Sequence, residues 1–415
     1  MSSTDLLFLQ ALRASLLSEP AKLPQSIAPE EWEALFLLAS AQNVEPLIYE
    51  SCAAALRASA PEDLYSCIRS RVRQAIRRQT QKTAAFYALL EYLGKYGLIP
   101  VVVKGVAVRS LYPKPDSRPS GDEDLLIGAE EFDTYHAAFL DYGLRPVTER
   151  ADYTKEFEVG YAMPDGSLYI ELHKQFFAPE SESYGDLNRY FADAAERKEL
   201  LLPFAYTLHP TDHILYLLFH ALKHFMHGGV GIRQVCDISL FANVYGARID
   251  WDYILKCCRQ ERADRFAAAL FAVGEKYLTL DPDAAHLPDS WRALIAASQE
   301  AALLSDMLAA GVFGASSRSR LHSSRITLDA VAAGRQGQKA GRGRLQSAVF
   351  PPAEALSEKY TYLKKHPVLL PAAWLQRIAG YLKETGNGDS RERAADAVRI
   401  GRERVRLLRQ YGVID

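Results

Sequence analysis

The sequence has few cysteines, no surplus of either charge and no long hydrophobic run. Its five cysteines lack the paired C-x-x-C spacing of a zinc site, and reduced thiols are the simplest interpretation of an odd number in a 415-residue chain. The formal net charge of −2 gives no reason to expect a nucleic-acid coat protein or a membrane-surface binder. No stretch approaches the ~18 apolar residues of a membrane span, and the N-terminus lacks the basic start of an export signal. We therefore expect a cytoplasmic protein without a membrane segment.

The spacing of the apolar residues changes along the chain. It is helical up to about residue 96 and predicts one long helix from about Pro61 toward Tyr96. The β-branched run "GLIPVVVKG" then predicts a strand at 99–103. "DEDLLIG" predicts a second strand. Two further extended runs flank Pro164-Asp165-Gly166, which predicts a hairpin. Helical spacing returns from Thr211 onward. These patterns predict an α+β unit embedded in a largely α-helical chain.

The same changes divide the chain into five predicted regions. We expect an N-terminal helical region at 1–82, an α+β core at 83–180 and a helical domain at 181–315. A basic segment at 316–350 precedes a C-terminal helical region at 351–415. The basic segment carries seven Lys or Arg residues and one acid between 316 and 345, which fits a solvated loop, a phosphate-seeking lid or a nucleic-acid contact.

Three acidic residues lie on or beside the predicted strands. Asp122 and Asp124 are separated by one residue, so on a strand both project from one face and Glu123 projects from the other. Glu171 lies between apolar residues in "YIELH", where a carboxylate is costly unless it is paired or binds a metal. Three convergent carboxylates suit Mg²⁺, or Mn²⁺ in its place, together with the phosphate oxygens of a nucleotide. The alternatives are a D-x-D pair in a surface turn and a Glu171 that pairs with a Lys or Arg.

Basic residues and a glycine near the first strand are candidates for binding phosphate. Gly105 lets the backbone approach a ligand closely at the start of a helix predicted at 106–112, whose free N–H groups suit an anion. Lys104 and Arg118 add positive charge. Arg233 either pairs with an aspartate four residues later on a helix or contacts the nucleotide.

Histidines form the last set of candidates. His173 shares a strand face with Glu171, where it either orients the acceptor or its phosphate or is a structural histidine. His220, His224 and His227 recur at helical spacing but lack the glutamate of a metalloprotease helix, which disfavours a zinc site. We expect these three to line the helical side of a cleft.

The segments "VVVKGVAVRSLYP", "RPSGDEDLLI", "YIELH" and "LLFHALKHF" together resemble the uncharacterised nucleotidyltransferase family of the DNA polymerase beta-like superfamily. The resemblance covers most of the chain and implies a mixed sheet with helices. It implies that Asp122 and Asp124 are the metal-binding pair and that Glu171 is the third acid. Lys104-Gly105 stands where the superfamily usually has Gly-Ser or Gly-Gly, so one phosphate contact from a serine is absent. The interval from Gly105 to Asp122 is longer than usual.

The implied reaction is a Mg²⁺-dependent transfer of a nucleoside monophosphate from ATP or another NTP to an acceptor, with release of pyrophosphate. We expect the acceptor to be a small molecule, a peptide or a saccharide in preference to nucleic acid. Two alternatives remain open. The same acids could transfer the γ-phosphoryl group, or the protein could be a degenerate transferase that binds only a nucleotide or a partner.

Overall fold

The structure is a computed structural model that describes residues 1–311, apart from 25, 151, 180, 182 and 183, and residues 327–328, 330–331, 369–374, 376 and 390–415. Helices surround an open seven-stranded mixed sheet, so the predicted α+β class is confirmed. The predicted basic segment 316–350 lies outside the described residues except for four positions, and so does most of the region 351–389.

Four helices precede the sheet, and the fourth is the longest of the described chain. They are α1 (Ser3–Leu16), α2 (Pro29–Ala41), α3 (Glu45–Ser59) and α4 (Glu62–Lys95). Helix α4 confirms the long helix predicted from apolar spacing between about residues 61 and 96. It begins after Pro61, which cannot donate a backbone hydrogen bond, and carries acidic residues in its first turn.

Helix α4 joins two hydrophobic cores. Its first half contributes Ile68 and Val72 to a large core shared by the N-terminal and C-terminal helices. Its second half contributes Phe86, Leu89 and Leu93 to a smaller core beneath the sheet. Because one rigid helix enters both cores, it fixes the sheet relative to the helical regions.

The sheet has the strand order β3-β4-β5-β2-β1-β7-β6. Its strands are β1 (Val101–Val102), β2 (Glu123–Leu126), β3 (Arg145–Pro146), β4 (Glu158–Ala162), β5 (Tyr169–His173), β6 (Glu199–Leu202) and β7 (Ala205–Thr207). Strands β2 and β5 run parallel, as do β1 and β7, and the other neighbours are antiparallel. The β4–β5 hairpin confirms the predicted turn at Pro164-Asp165-Gly166. Strands β6 and β7 add to the sheet beyond residue 180.

The remaining helices flank or follow the sheet. They are α5 (Val106–Arg109), α6 (Phe132–Tyr142), α7 (Pro210–His227), α8 (Ile232–Tyr245), α9 (Trp251–Gln260), α10 (Asp264–Tyr277), α11 (Asp289–Ala296), α12 (Glu300–Ala310) and α13 (Ser390–Gln410). Among the described residues, no single helix is both long and apolar enough to cross a bilayer. The pair α11 and α12 passes by length and composition only when taken together, with a bend of 73° between them.

Candidate active site

Strands β2 and β5 bring two carboxylates and an imidazole together. The parallel register places Asp124 directly opposite Glu171, and His173 lies two residues further along β5 on the same face. The His173 Nε2 atom is 3.3 Å from Asp124 Oδ1 and 3.7 Å from Glu171 Oε2. Within the described residues, these three side chains form a set whose ligand atoms all lie within 4.8 Å of one another. A set of this kind can hold a divalent cation.

The two carboxylates have opposite pKa shifts. Burial alone raises the pKa of Asp124, but the Lys104 ammonium and the hydrogen bond from His173 outweigh it and hold this pKa well below its usual range. Burial, followed by the charges of Asp124 and Asp122, raises the pKa of Glu171 to about 7. Asp124 is therefore ionised at neutral pH, whereas Glu171 is balanced between its two protonation states.

Asp124 also has an incomplete set of hydrogen bonds. Its Oδ2 atom is buried and has no hydrogen-bond partner in the part of the chain that the structure describes. An ionised oxygen without a partner is costly in a protein interior, and a bound cation would remove that cost. The residues present therefore fit a metal ion.

His173 is held among carboxylates on three strands. Its Nδ1 atom lies 3.5 Å from Oε2 of Glu158, which pairs with it across the β4–β5 hairpin. Burial lowers the pKa of His173, but the bond to Asp124 and the nearby carboxylates outweigh it and raise this pKa above its usual value. The sequence reasoning missed Glu158. The hairpin register was the signal that could have identified it, because residues opposite each other in a ladder are neighbours.

Asp122 occupies a different place from the other two predicted metal ligands. It is half-buried, lies just before β2 and is not part of the set formed by Asp124, Glu171 and His173. It lines an adjacent cavity of about 150 Å³. Its charge nevertheless contributes to the raised pKa of Glu171, which places it close to the acidic set.

Three predicted phosphate-binding cations line this cavity. They are Lys104, Arg118 and Arg233. Arg118 is fixed by Asp237, whose carboxylate accepts from the guanidinium through both oxygens, with Nε at 2.7 Å from Oδ1. Arg118 Nη1 is buried and has no hydrogen-bond partner among the described residues. The rigid guanidinium can therefore still donate to an anion.

The alternative pairing of Arg233 with Asp237 on one helix is replaced by longer-range contacts. Asp237 accepts from Arg118 and, at 2.6 Å, from the Tyr112 hydroxyl. Arg233 Nη1 donates instead to the Pro119 carbonyl at 2.5 Å. Arg233 and Asp237, both on helix α8, thus hold the loop that leads into Asp122.

The turn at Gly105 differs from the expected phosphate-binding helix start. Gly105 has φ of +50°, and an added Cβ would lie 1.6 Å from Oε2 of Glu123. That same oxygen accepts the Val106 N–H at 2.9 Å, and the Ala107 N–H is bonded to the Lys104 carbonyl at 3.0 Å. Helix α5 also ends at residue 109 rather than 112. The expectation of free N–H groups in this turn is therefore wrong for its first two residues, because the Glu123 carboxylate and the Lys104 carbonyl already accept from them.

Lys104 lies between the acidic set and helix α7. Its Nζ atom is 3.7 Å from Asp124 Oδ1, 2.7 Å from His220 Nε2 and 5.9 Å from the centre of the Tyr216 ring. His220 and His224 line the cavity, but His227 is not among its lining residues. Burial, with Lys104 as the next cause, lowers the pKa of His220 well below its usual value and that of His224 to about 3.

Comparison with known proteins agrees with this geometry. A family model described as an uncharacterised nucleotidyltransferase matches residues 28–279. This match spans more than half of the chain and includes every candidate residue from Lys104 to Arg233. No curated protein and no solved structure matches the chain. The chain belongs to the family of uncharacterised nucleotidyltransferases.

Proposed function

We propose that the protein is a Mg²⁺-dependent nucleotidyltransferase that transfers a nucleoside monophosphate from an NTP to an acceptor and releases pyrophosphate. One observation carries the proposal. Asp124 and Glu171 lie opposite each other on parallel strands, and one buried Asp124 oxygen has no partner among the described residues. The family match supports the reaction class.

Asp122, Asp124 and Glu171 are the proposed metal ligands, and His173 stands beside the last two. Carboxylates suit Mg²⁺, whereas an imidazole in the set also suits Mn²⁺, so both ions are candidates. A divalent cation bound here would stabilise negative charge on the oxygens around the reacting phosphorus. Glu158 beside His173 Nδ1 would add negative charge on the other side of the ring.

Glu171 has a second proposed role as general base. Where Glu171 does not itself hold the cation, its pKa of about 7 lets it accept a proton from an acceptor hydroxyl at neutral pH, which an ordinary glutamate does poorly. The proton moves from the hydroxyl oxygen to a Glu171 carboxylate oxygen as the acceptor attacks the α-phosphorus. Asp124 does not compete for this proton because its pKa is far lower.

The cavity beside Asp122 is the proposed place for the phosphate tail. Lys104, Arg118 and Arg233 supply three positive charges, and Gly105 keeps the adjacent turn free of a side chain. Arg118 is oriented before any ligand arrives, since Asp237 holds it through two bonds. Little ordering entropy remains to be lost when this guanidinium binds phosphate.

The proposal also covers the acceptor and the location of the protein. A small molecule, a peptide or a saccharide is the proposed acceptor, in keeping with a net charge of −2. The five cysteines are all free thiols, which supports a reducing, cytoplasmic location.

A degenerate transferase is the second candidate, and one contact favours it. The Lys104 ammonium lies 3.7 Å from Asp124 Oδ1, so the chain carries its own cation next to the acidic set. Such a site could bind a nucleotide or a partner without catalysis.

The test follows two labels from one nucleotide. The purified chain would be incubated with Mg²⁺ or Mn²⁺, a pool of small metabolites and peptides, and each NTP labelled in the α- or the γ-phosphate. Nucleotidyl transfer predicts that the α-label joins an acceptor and that pyrophosphate appears. Transfer of the γ-label would identify a phosphotransferase. Binding of an NTP without transfer of either label would support a degenerate transferase.

A further inference from the structure

Buried polar side chains on α7 and α8 form a connected set around Lys104. His220 Nε2 lies 2.7 Å from Lys104 Nζ and 3.0 Å from His224 Nε2. On its other side, His220 Nδ1 lies 3.4 Å from the Gln234 side-chain amide. The sequence reasoning included the two histidines only as cleft residues and did not include Gln234.

The chemistry of Lys104 decides which nitrogen of His220 carries the proton. An ammonium group has only hydrogens to donate, so the His220 Nε2 atom facing it must accept. This nitrogen has one lone pair, which the shorter contact with Lys104 occupies, so the contact with His224 Nε2 at 3.0 Å is a weaker, shared one. A neutral ring that accepts at Nε2 carries its proton on Nδ1. Burial and the charge of Lys104 lower the pKa of His220, which agrees with a neutral ring.

Gln234 then completes the assignment. As placed, its NH₂ group faces the protonated Nδ1 of His220, whereas its Oε1 atom is buried without a hydrogen-bond partner among the described residues. A half-turn of the carboxamide exchanges its oxygen and its NH₂ group. After rotation, Oε1 accepts from His220 Nδ1–H. The rotation thus turns a donor–donor contact into a hydrogen bond and moves the NH₂ group to the position that Oε1 held.

We propose that His220 is a positioning residue that holds the Lys104 ammonium at the mouth of the phosphate cavity, with its tautomer fixed by Gln234. A lysine side chain has many rotamers, and Asp124 alone would attract the ammonium into the metal set. His220 gives it a second acceptor beside the cavity. Lys104 therefore remains available for phosphate, and a metal ion need not displace it. The nucleotide readout of this inference rests on the proposed function.

A double-mutant cycle tests the coupling. Titration calorimetry would measure binding of the Mg²⁺ complexes of ATP, GTP, CTP and UTP to wild type, Lys104→Ala, His220→Leu and the double variant. His220→Leu is expected to weaken binding about tenfold, the loss typical of one hydrogen bond to a charged group. If His220 acts through Lys104, the double variant binds no more weakly than Lys104→Ala. If the losses in binding free energy from the two single changes add up in the double variant, the proposal is overturned.

Two further variants separate positioning from packing. His220→Gln keeps an acceptor oxygen near the former Nε2 and is expected to restore binding to within about threefold of wild type. His227→Leu makes the same apolar change on the same helix at a residue that does not line the cavity, and is expected to leave binding unchanged. A loss in His227→Leu as large as in His220→Leu would show that the helix, rather than the contact, is responsible.

A nucleotide-free measurement keeps the inference separate from the proposed function. Nitrogen-15 NMR of histidine-labelled protein, with the His220 signals identified by their absence in His220→Gln, should show a protonated Nδ1 and an unprotonated Nε2. Lys104→Ala should shift the Nε2 signal, and Gln234→Leu should mix the tautomers. A proton on Nε2 of His220 in the wild type would contradict the inference. The predicted tautomer in a protein that binds no NTP would instead contradict the proposed function alone.

Discussion

Glu123 and Asp124 are neighbours in the sequence, lie on opposite faces of β2 and are both fully buried, yet their surroundings are opposite. Both oxygens of Glu123 accept hydrogen bonds, one from Arg109 and one from the Val106 N–H, each at 2.9 Å. Asp124 has one oxygen near Lys104 and His173 and another without a partner among the described residues. The carboxylate on one face of β2 has hydrogen bonds to both of its oxygens within the fold, and the carboxylate on the other face does not.

The comparison teaches which buried charge holds the fold and which one is available for a ligand. Removing a fully paired carboxylate destabilises the fold, because its partner is left charged and buried. An incompletely paired one, such as Asp124, keeps one buried oxygen that a bound cation would coordinate. Composition alone cannot separate these two acids, since both occur in the same "GDEDLL" segment.

The largest expected effect on stability comes from the satisfied face. Glu123→Gln leaves the Arg109 guanidinium buried without a counter-charge and turns an NH₂ group toward Arg109 or Val106 N–H. We expect a loss of about 4 kcal/mol in the free energy of unfolding, measured by denaturant titration. Adding Arg109→Met should recover part of this loss. A stability equal to wild type in Glu123→Gln would remove the distinction between the two faces.

The turn that packs against Glu123 should be the next most sensitive position. Gly105→Ala adds the strain of a positive φ to a collision with the Glu123 carboxylate, so we expect a loss of about 3 kcal/mol in unfolding free energy. Gly97 is a matched control because it has φ of +71° and open space around its Cβ position. Gly97→Ala should lose only about 1 kcal/mol. Equal losses at the two positions would show that Glu123 moves aside easily.

A buried histidine that holds the fold gives a smaller, pH-dependent effect on the free energy of unfolding. His213 Nε2–H donates to the Val103 carbonyl at 2.7 Å, and burial lowers its pKa to about 4. Below pH 6.5 His213 binds a proton in the unfolded chain but not in the folded one. The free energy of unfolding therefore falls as the pH decreases. Between pH 6.5 and pH 5 we expect about 2 kcal/mol of loss that His213→Gln does not share. Parallel stability curves for the two proteins would contradict this assignment.

Local patterns in the sequence predicted much of the fold. Apolar spacing predicted α4, and turn chemistry at Pro164-Asp165-Gly166 predicted the β4–β5 hairpin. Strands β6 and β7 were not predicted, because they have only four and three residues and depend on the pairing of β7 with β1 and of β6 with β7 rather than on their own pattern. The helix after Gly105 was predicted too long, because its end is set by packing and not by the local sequence pattern.

The candidate site was less accessible from the sequence because its contacts are long-range. Asp124 and Glu171 were identified from their local settings, and parallel pairing of β2 and β5 then places them side by side. The partner of Arg118 is Asp237, which no spacing rule connects to it across 119 residues. Glu158 and Gln234 were missed because their roles depend on the residues that face them.

The most direct test of the account is calorimetric titration of Mg²⁺–NTP complexes into wild type, Asp124→Asn and Glu123→Gln, at a temperature where circular dichroism shows all three to be folded. The account predicts that folded Asp124→Asn binds on the order of 100-fold more weakly, whereas folded Glu123→Gln binds as wild type does. Unchanged nucleotide binding by Asp124→Asn, in the presence of Mg²⁺, would contradict the assignment of this face of β2 as the nucleotide site.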